Sequence, residues 1–175
     1  MSQTLESLAG IAVEPPALAV HLVADALREQ FKLDGELTPL VSERDQNFRL
    51  VSAQGDYVVK VVSKADSSEL IDFQIGALKH LEKQGFDRAP RVVDTASGDS
   101  HGEIKDSDGE SLALRVVTWV DGAIRRGAEL SKSAARNFGV AIAEFDQAID
   151  GFRHPGENQP LLWDCLLYTS PSPRD

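Results

Sequence analysis

The sequence predicts an α+β fold, an antiparallel sheet of about five short strands with one inserted helix, followed by a second, separate helix. Three observations carry this. Between residues 38 and 62, runs rich in Val, Leu and Phe are separated by short polar, turn-prone segments. A single helical pattern, at 66–85, interrupts the strand block before further strand-like runs reach residue 118. Residues 131–150 then repeat apolar side chains at helical spacing, outside that block.

Residues 1–15 are expected to be loosely ordered. Pro16 stands where a first helical turn tolerates proline, and Val20, Val23, Leu27 and Phe31 recur at helical spacing over 17–31. Gly35 is expected to end that unit. Strands follow at 38–42, 48–52 and 57–62, and Gln54-Gly55-Asp56 supports a hairpin between the last two. Asp66, with Glu69 three residues on, fits a capping box for a helix with Leu70, Ile71, Ile75, Leu78 and Leu81 on one face. That helix ends by Gly85. Pro90 is expected to open a strand at 91–94, and two more strands, 103–105 and 112–118, flank an Asp108-Gly109 turn. Trp119-Val120-Asp121-Gly122 marks the exit into a new segment. Within 131–150, Phe138, Ala141, Ile142, Phe145, Ala148 and Ile149 form the apolar stripe, and Gly151 caps the helix.

Composition narrows the function. The chain is 42% hydrophobic, enough for a core, and carries a net charge of −10, which argues against a nucleic-acid partner. A cationic amine substrate is compatible with that charge. Cys165 is the only cysteine, so neither a disulfide framework nor a cysteine metal site is expected. The N-terminus lacks a basic, then apolar, signal pattern, and no apolar run approaches the ~20 residues of a membrane span, so a cytoplasmic protein is expected. Asp106-Ser107-Asp108-Gly109-Glu110 opens like a calcium loop but lacks the later glutamate, and reads as a hairpin turn. His21, His80, His101 and His154 show no metal-ligand spacing.

The chemistry concentrates between residues 42 and 62. Lys60 interrupts the apolar run Val58-Val59-Lys60-Val61-Val62. A lysine buried there needs an anionic partner, and the donor-rich loop Ser42-Glu43-Arg44-Asp45-Gln46-Asn47-Phe48 just upstream suggests phosphate. The alternatives are an edge lysine facing solvent and a charged turn with no ligand. The loop is not a Walker A motif, and it lacks the glycines of a protein-kinase loop.

Taken with Tyr57-Val58-Val59-Lys60-Val61, Asp72-Phe73-Gln74, Trp119-Val120-Asp121-Gly122 and Gly151-Phe152-Arg153-His154-Pro155, the loop resembles the aminoglycoside phosphotransferase and choline kinase superfamily. Within it, the resemblance points to hydroxylysine-kinase-like enzymes and to the kinase domain fused to some class III aminotransferases. It covers roughly residues 16–164. It implies a protein-kinase-like fold with a five-stranded small lobe, ATP and Mg2+ as cofactors, and a small amine-bearing hydroxyl compound as acceptor. Lys60 would hold the α/β-phosphates, Asn47 and Ser42 would donate to phosphate oxygens, and Phe48 would pack inward. Gln74 stands where a kinase helix places the glutamate that pairs with the lysine, with Glu69 and then Asp72 as the charged alternatives, unless these residues only solvate a helix surface. The Thr118 carbonyl and Val120 amide would read the adenine edge.

The last eleven residues, from Cys165 to Asp175, resemble the translation of a transposase-type sequencing-library adapter. They hold one Arg and one Asp, so the charge of −10 persists without them. The expected organisation is an N-terminal extension and helix at 1–35, an ATP-binding small lobe at 36–120, the hinge and start of a truncated large lobe at 121–164, and a non-native tail at 165–175. The catalytic Asp and Asn of the resembled family would lie beyond residue 164, so the chain itself is expected to be inactive. Two other readings stand beside this one. The chain could be the kinase-like N-terminal domain of a pyridoxal-phosphate aminotransferase fusion, or a noncatalytic nucleotide-binding module.

Overall fold

The computed structural model describes residues 14–123 and 131–158; residues 1–13 of the expected loose N-terminal stretch and the 165–175 tail lie outside them. Five strands form one antiparallel sheet. They are β1 (Gly35–Leu40), β2 (Gln46–Ser52), β3 (Gly55–Val61), β4 (Gly102–Lys105) and β5 (Ser111–Thr118), in the order β1-β2-β3-β5-β4. Three helices accompany them: α1 (Val20–Ala26), continued by a π-helical turn Leu27–Phe31, α2 (Ser68–Lys83) and α3 (Lys132–Ile149).

Strand alternation sorts the sheet into two faces. On one, Phe48, Leu50, Val59, Val61, Leu112, Leu114 and Val116 pack against Val23, Leu27 and Phe31 of the first helical unit. Phe48, Val59, Leu114 and Val116 are at most 1% exposed. On the other face, Ile71 and Ile75 of α2 pack with Val62, Val92 and Ala113. Alternation places Asn47, Lys60 and Arg115 on this second face.

Several local expectations shift. The first helix begins at Val20, beyond Pro16, and its end is set by Lys32 in the left-handed conformation (φ 56°), while Gly35 opens β1. Gly35 lies so close to β2 that a Cβ there would come 2.1 Å from the Val51 carbonyl oxygen. The β2–β3 turn falls on Ala53-Gln54, one residue earlier than read, and Gly55 opens β3 at φ 135°. Ser67, not Asp66, caps α2, its Oγ accepting from the Leu70 amide at 3.2 Å. The expected strand 91–94 is a single bridge, Val92 to Val117. β4 occupies that flank of β5 through residues 111–114, so the segment meets only the far end of β5.

Both rims of the sheet are blocked. Pro39 removes an amide from edge strand β1. At the β4 rim, the Gln30 side chain accepts from the Glu103 amide at 2.9 Å and donates to the Glu103 carbonyl at 2.7 Å.

α3 starts at Ser131, whose Oγ accepts from the Ala134 amide at 3.2 Å. Gly151 follows it at φ 76°. No residue of α3 is buried among the described residues, and Phe138 of its apolar stripe is 63% exposed. Among the described residues it meets α2, and an Arg88–Glu144 ion pair and an edge contact between the Phe86 and Phe145 rings tie it to the segment after that helix. The residues after it return to α2, where the Phe152 ring packs beside Phe73 and His80.

Candidate functional site

The β1–β2 loop, the end of β3 and the start of α2 meet at one end of the sheet, on the face that α2 covers. Registration brings three polar side chains into a row there. Asn47 on β2 pairs with Lys60 on β3, and Lys60 pairs with Arg115 on β5. Asn47 and Phe48 are therefore strand residues rather than loop residues; β1 ends at Leu40 and β2 begins at Gln46. Alternation then buries Phe48 in the opposite face and leaves Asn47 beside Lys60.

Two cations facing each other across neighbouring strands repel unless an anion lies between them. The loop supplies that anion. Asp45 Oδ2 pairs with Lys60 Nζ at 2.9 Å, and Asp45 Oδ1 accepts from the Ser63 amide at 3.1 Å. A second carboxylate, Asp66, pairs with Arg44 at 2.6 Å. Arg115, 4% exposed, donates from Nη1 to Gln74 Oε1 at 2.6 Å. Burial pushes the Arg115 guanidinium below its ordinary range, while the charges of Asp45 and Asp66 pull it back up. Burial pushes the Asp66 carboxyl above its ordinary range, against the lowering charge of Arg44.

The helix-to-sheet contact differs from the expectation in one respect. Gln74 does reach the polar row, but its oxygen goes to Arg115, one strand beyond Lys60. Lys60 takes its carboxylate from the loop. Ile71 and Ile75 of α2 pack with Ala113 of β5, the strand that carries Arg115. Glu69 is exposed in the first turn of α2, and Ser42 is half-buried just past β1.

At the other end of β3, Thr118 is tied to residue 91 twice. Its amide donates to the Arg91 carbonyl at 2.9 Å, and its Oγ1 accepts from the Arg91 amide at 2.8 Å. The Trp119 amide donates to the Asp56 carbonyl at 2.9 Å, and Val120 is 50% exposed. The Arg49 guanidinium lies 4.4 Å from the Trp119 ring centroid and is paired with Asp56.

The donor set suits an anion. Arg44, Lys60 and Arg115 outnumber Asp45 and Asp66, leaving a locally positive spot on a chain of net charge −10. Among the described residues, the buried Nε–H donors of Arg44 and Arg115 have no hydrogen-bond partner. Lys60 Nζ has three N–H donors, of which the Asp45 pair needs one. The residues fit a phosphate group on these grounds. No cluster of three His, Cys, Asp or Glu able to hold a metal ion occurs among the described residues. No helix among them is long and apolar enough to cross a membrane.

Sequence reasoning gave Arg115 no role, named Arg44 and Asp45 only as members of the loop, and read Asp66 only as a helix cap. The signal for Arg115 was present. It interrupts Leu112-Ala113-Leu114-Arg115-Val116-Val117 as Lys60 interrupts its own run.

The family model described as "Phosphotransferase enzyme family" matches residues 36–167. Hydroxylysine kinase from Mus musculus is 28% identical over 137 residues, covering 69% of this chain and 35% of that protein. The chain thus spans about a third of the length of that curated relative. Among solved structures, amicoumacin kinase in complex with AMP-PNP, Ca2+ and Ami superposes with a TM-score of 0.62 at 15% identity, covering 93% of this chain and 44% of that one. The microcompartment-associated aminopropanol kinase does so with a TM-score of 0.56 at 13% identity, over 94% and 45%. At such identities these likenesses bear on the fold, an α+β kinase-like one.

Proposed function

We propose, from the premise that the chain belongs to the phosphotransferase enzyme family, that it is the ATP-binding portion of a small-molecule kinase. The whole enzyme would transfer the γ-phosphoryl group of Mg2+-bound ATP to a hydroxyl of an amino alcohol, a hydroxylated amino acid or an aminoglycoside-like compound. One observation carries the nucleotide reading, the Asn47–Lys60–Arg115 row with its positive surplus on an acidic chain.

Each residue has a physical task in this reading. Lys60 presents a compact ammonium to the α/β-phosphates. Asn47 and Ser42 donate to phosphate oxygens from β2 and the loop, and Phe48 anchors that loop by its burial in the sheet. The Thr118 carbonyl and Val120 amide receive the adenine edge. Gln74 supports the row through Arg115, and Glu69 lies on the same helix near its start. Phosphoryl transfer asks the protein mainly for positioning and charge neutralisation. Magnesium bound with the nucleotide would supply positive charge against the charge that develops on the phosphates. The base that accepts the acceptor's proton, and the metal-binding carboxylate, belong to sequence beyond residue 164 in this reading. The 175-residue chain therefore binds nucleotide without turning over.

Calorimetric titration tests this. The chain is expected to bind Mg·ADP, with affinity falling at least about tenfold in Lys60→Met. Absence of binding to the unmodified chain overturns the reading. A coupled kinase assay with amino-alcohol acceptors is expected to give no turnover, and robust turnover overturns the assignment of catalysis to later sequence.

A further inference from the structure

We infer that Asp45 is the positioning residue for Lys60, a carboxylate delivered by the phosphate-covering loop where protein kinases use one on a helix. The inference rests on the proposed nucleotide role of Lys60.

Lysine has a long, flexible stem, so an ammonium that must meet phosphates at a fixed point benefits from a fixed partner. Asp45 is such a partner. Its side chain is 15% exposed, and its two oxygens are divided between Lys60 Nζ at 2.9 Å and the Ser63 amide at 3.1 Å. Ser63 ends the segment that follows β3, three residues past Lys60, so the carboxylate is tied to the strand that carries the lysine. A loop carboxylate merely occupying a phosphate position would not need this second anchor. Gln74 of α2 reaches the same row and is engaged by Arg115 at 2.6 Å. The duties that one helix glutamate performs in a protein kinase are here divided. Gln74–Arg115 ties the helix to the sheet, and Asp45 aims the lysine. Because Asp45 belongs to the covering loop, the loop's placement and the lysine's aim are set together.

The test is a double-mutant cycle on nucleotide affinity. The unmodified chain, D45N, K60M and D45N/K60M are each titrated with Mg·ADP and with adenosine. Asparagine keeps an oxygen for the Ser63 amide while removing the charge that holds Lys60. D45N is expected to weaken Mg·ADP about tenfold, leave adenosine affinity little changed, and add no further loss in the K60M background. Three results overturn the inference. Tighter Mg·ADP binding by D45N would mean that Asp45 competes with phosphate. An equal loss for adenosine would mean a purely structural role. An undiminished effect of D45N in the K60M background would mean that Asp45 acts independently of the lysine. If the unmodified chain binds no Mg·ADP, the nucleotide reading fails and takes this inference with it, a result distinguishable because it precedes any substitution. Thermal unfolding of each variant monitors the fold. Should D45N not fold, D45E retains the charge but displaces it by one methylene, and the same selective loss for Mg·ADP is expected.

Discussion

The sheet and α3 draw on similar apolar residues and dispose of them in opposite ways. Val59, Val61, Leu114 and Val116 are wholly enclosed between the strands and the first helix. Phe138, Val140, Ile142 and Phe145 of α3 are 41–63% exposed. The sheet and the first helical unit close a common core, whereas α3 has the amphipathic pattern of a packed helix without comparable cover among the described residues. Amphipathic periodicity states that a face is made for burial; it does not state what buries it. Leaving roughly 300 Å² of apolar surface in water forfeits about 7 kcal/mol at ~25 cal/mol per Å². That is comparable with the ~5–15 kcal/mol stability of a typical domain.

The largest expected effect tests this contrast directly. Leu114→Ala should cost about 3 kcal/mol of unfolding free energy in urea titration, while Phe138→Ala should change it by less than about 0.5 kcal/mol. Comparable costs would show that α3 is packed in solution, and the contrast would be gone. An intermediate effect belongs to the junction between the regions. Phe152→Ala, which removes a half-buried ring from beside Phe73 and His80, should cost about 1–2 kcal/mol and expose α3 to proteolysis sooner. A smaller one concerns the exposed Arg88–Glu144 pair. Arg88→Ala should lower stability by no more than about 0.5 kcal/mol, with the difference disappearing in 1 M salt.

The smallest effect depends on pH. The folded-state pKa of Asp66 is raised, chiefly by burial, so protonation favours the fold. Its stabilising contribution is complete below the ordinary value of 3.8 and is lost as pH rises through the raised value. Asp66→Asn does not titrate. Its melting temperature relative to the unmodified chain should therefore climb slightly across that window and then level off. A fall over the same range would mean that the Arg44 pair outweighs burial.

Much of this was legible because it is local. The lysine interrupting Val58-Val59-Lys60-Val61-Val62 marked a polar position on β3, and Ser131 with Gly151 bracketed α3 closely. The failures are cases where a distant group claimed a residue. Asp66 satisfied a local capping rule, yet Arg44, 22 residues away, took its carboxylate and left the cap to Ser67. Gln74 was read against Lys60, but Arg115, 41 residues away, lies nearer its reach. The run at 91–94 had strand composition, and β4 left it only one bridge's length of β5. Pairing across the sheet depends on strand order, which no local pattern encodes.

The two blocked rims bear on how copies of the chain would meet. A bare strand edge is a template on which a second chain can extend the sheet, the route toward fibrils. Pro39 denies one rim a donor, and on the other the Gln30 amide already sits where a neighbouring strand's peptide group would bind. Gly102 makes this possible, because a Cβ there would come 2.2 Å from Gln30 Oε1. Self-association is thereby steered away from cross-β stacking and toward the uncovered stripe of α3. Crowded molecules of this chain should then form helix-rich, amorphous clusters that do not bind thioflavin T.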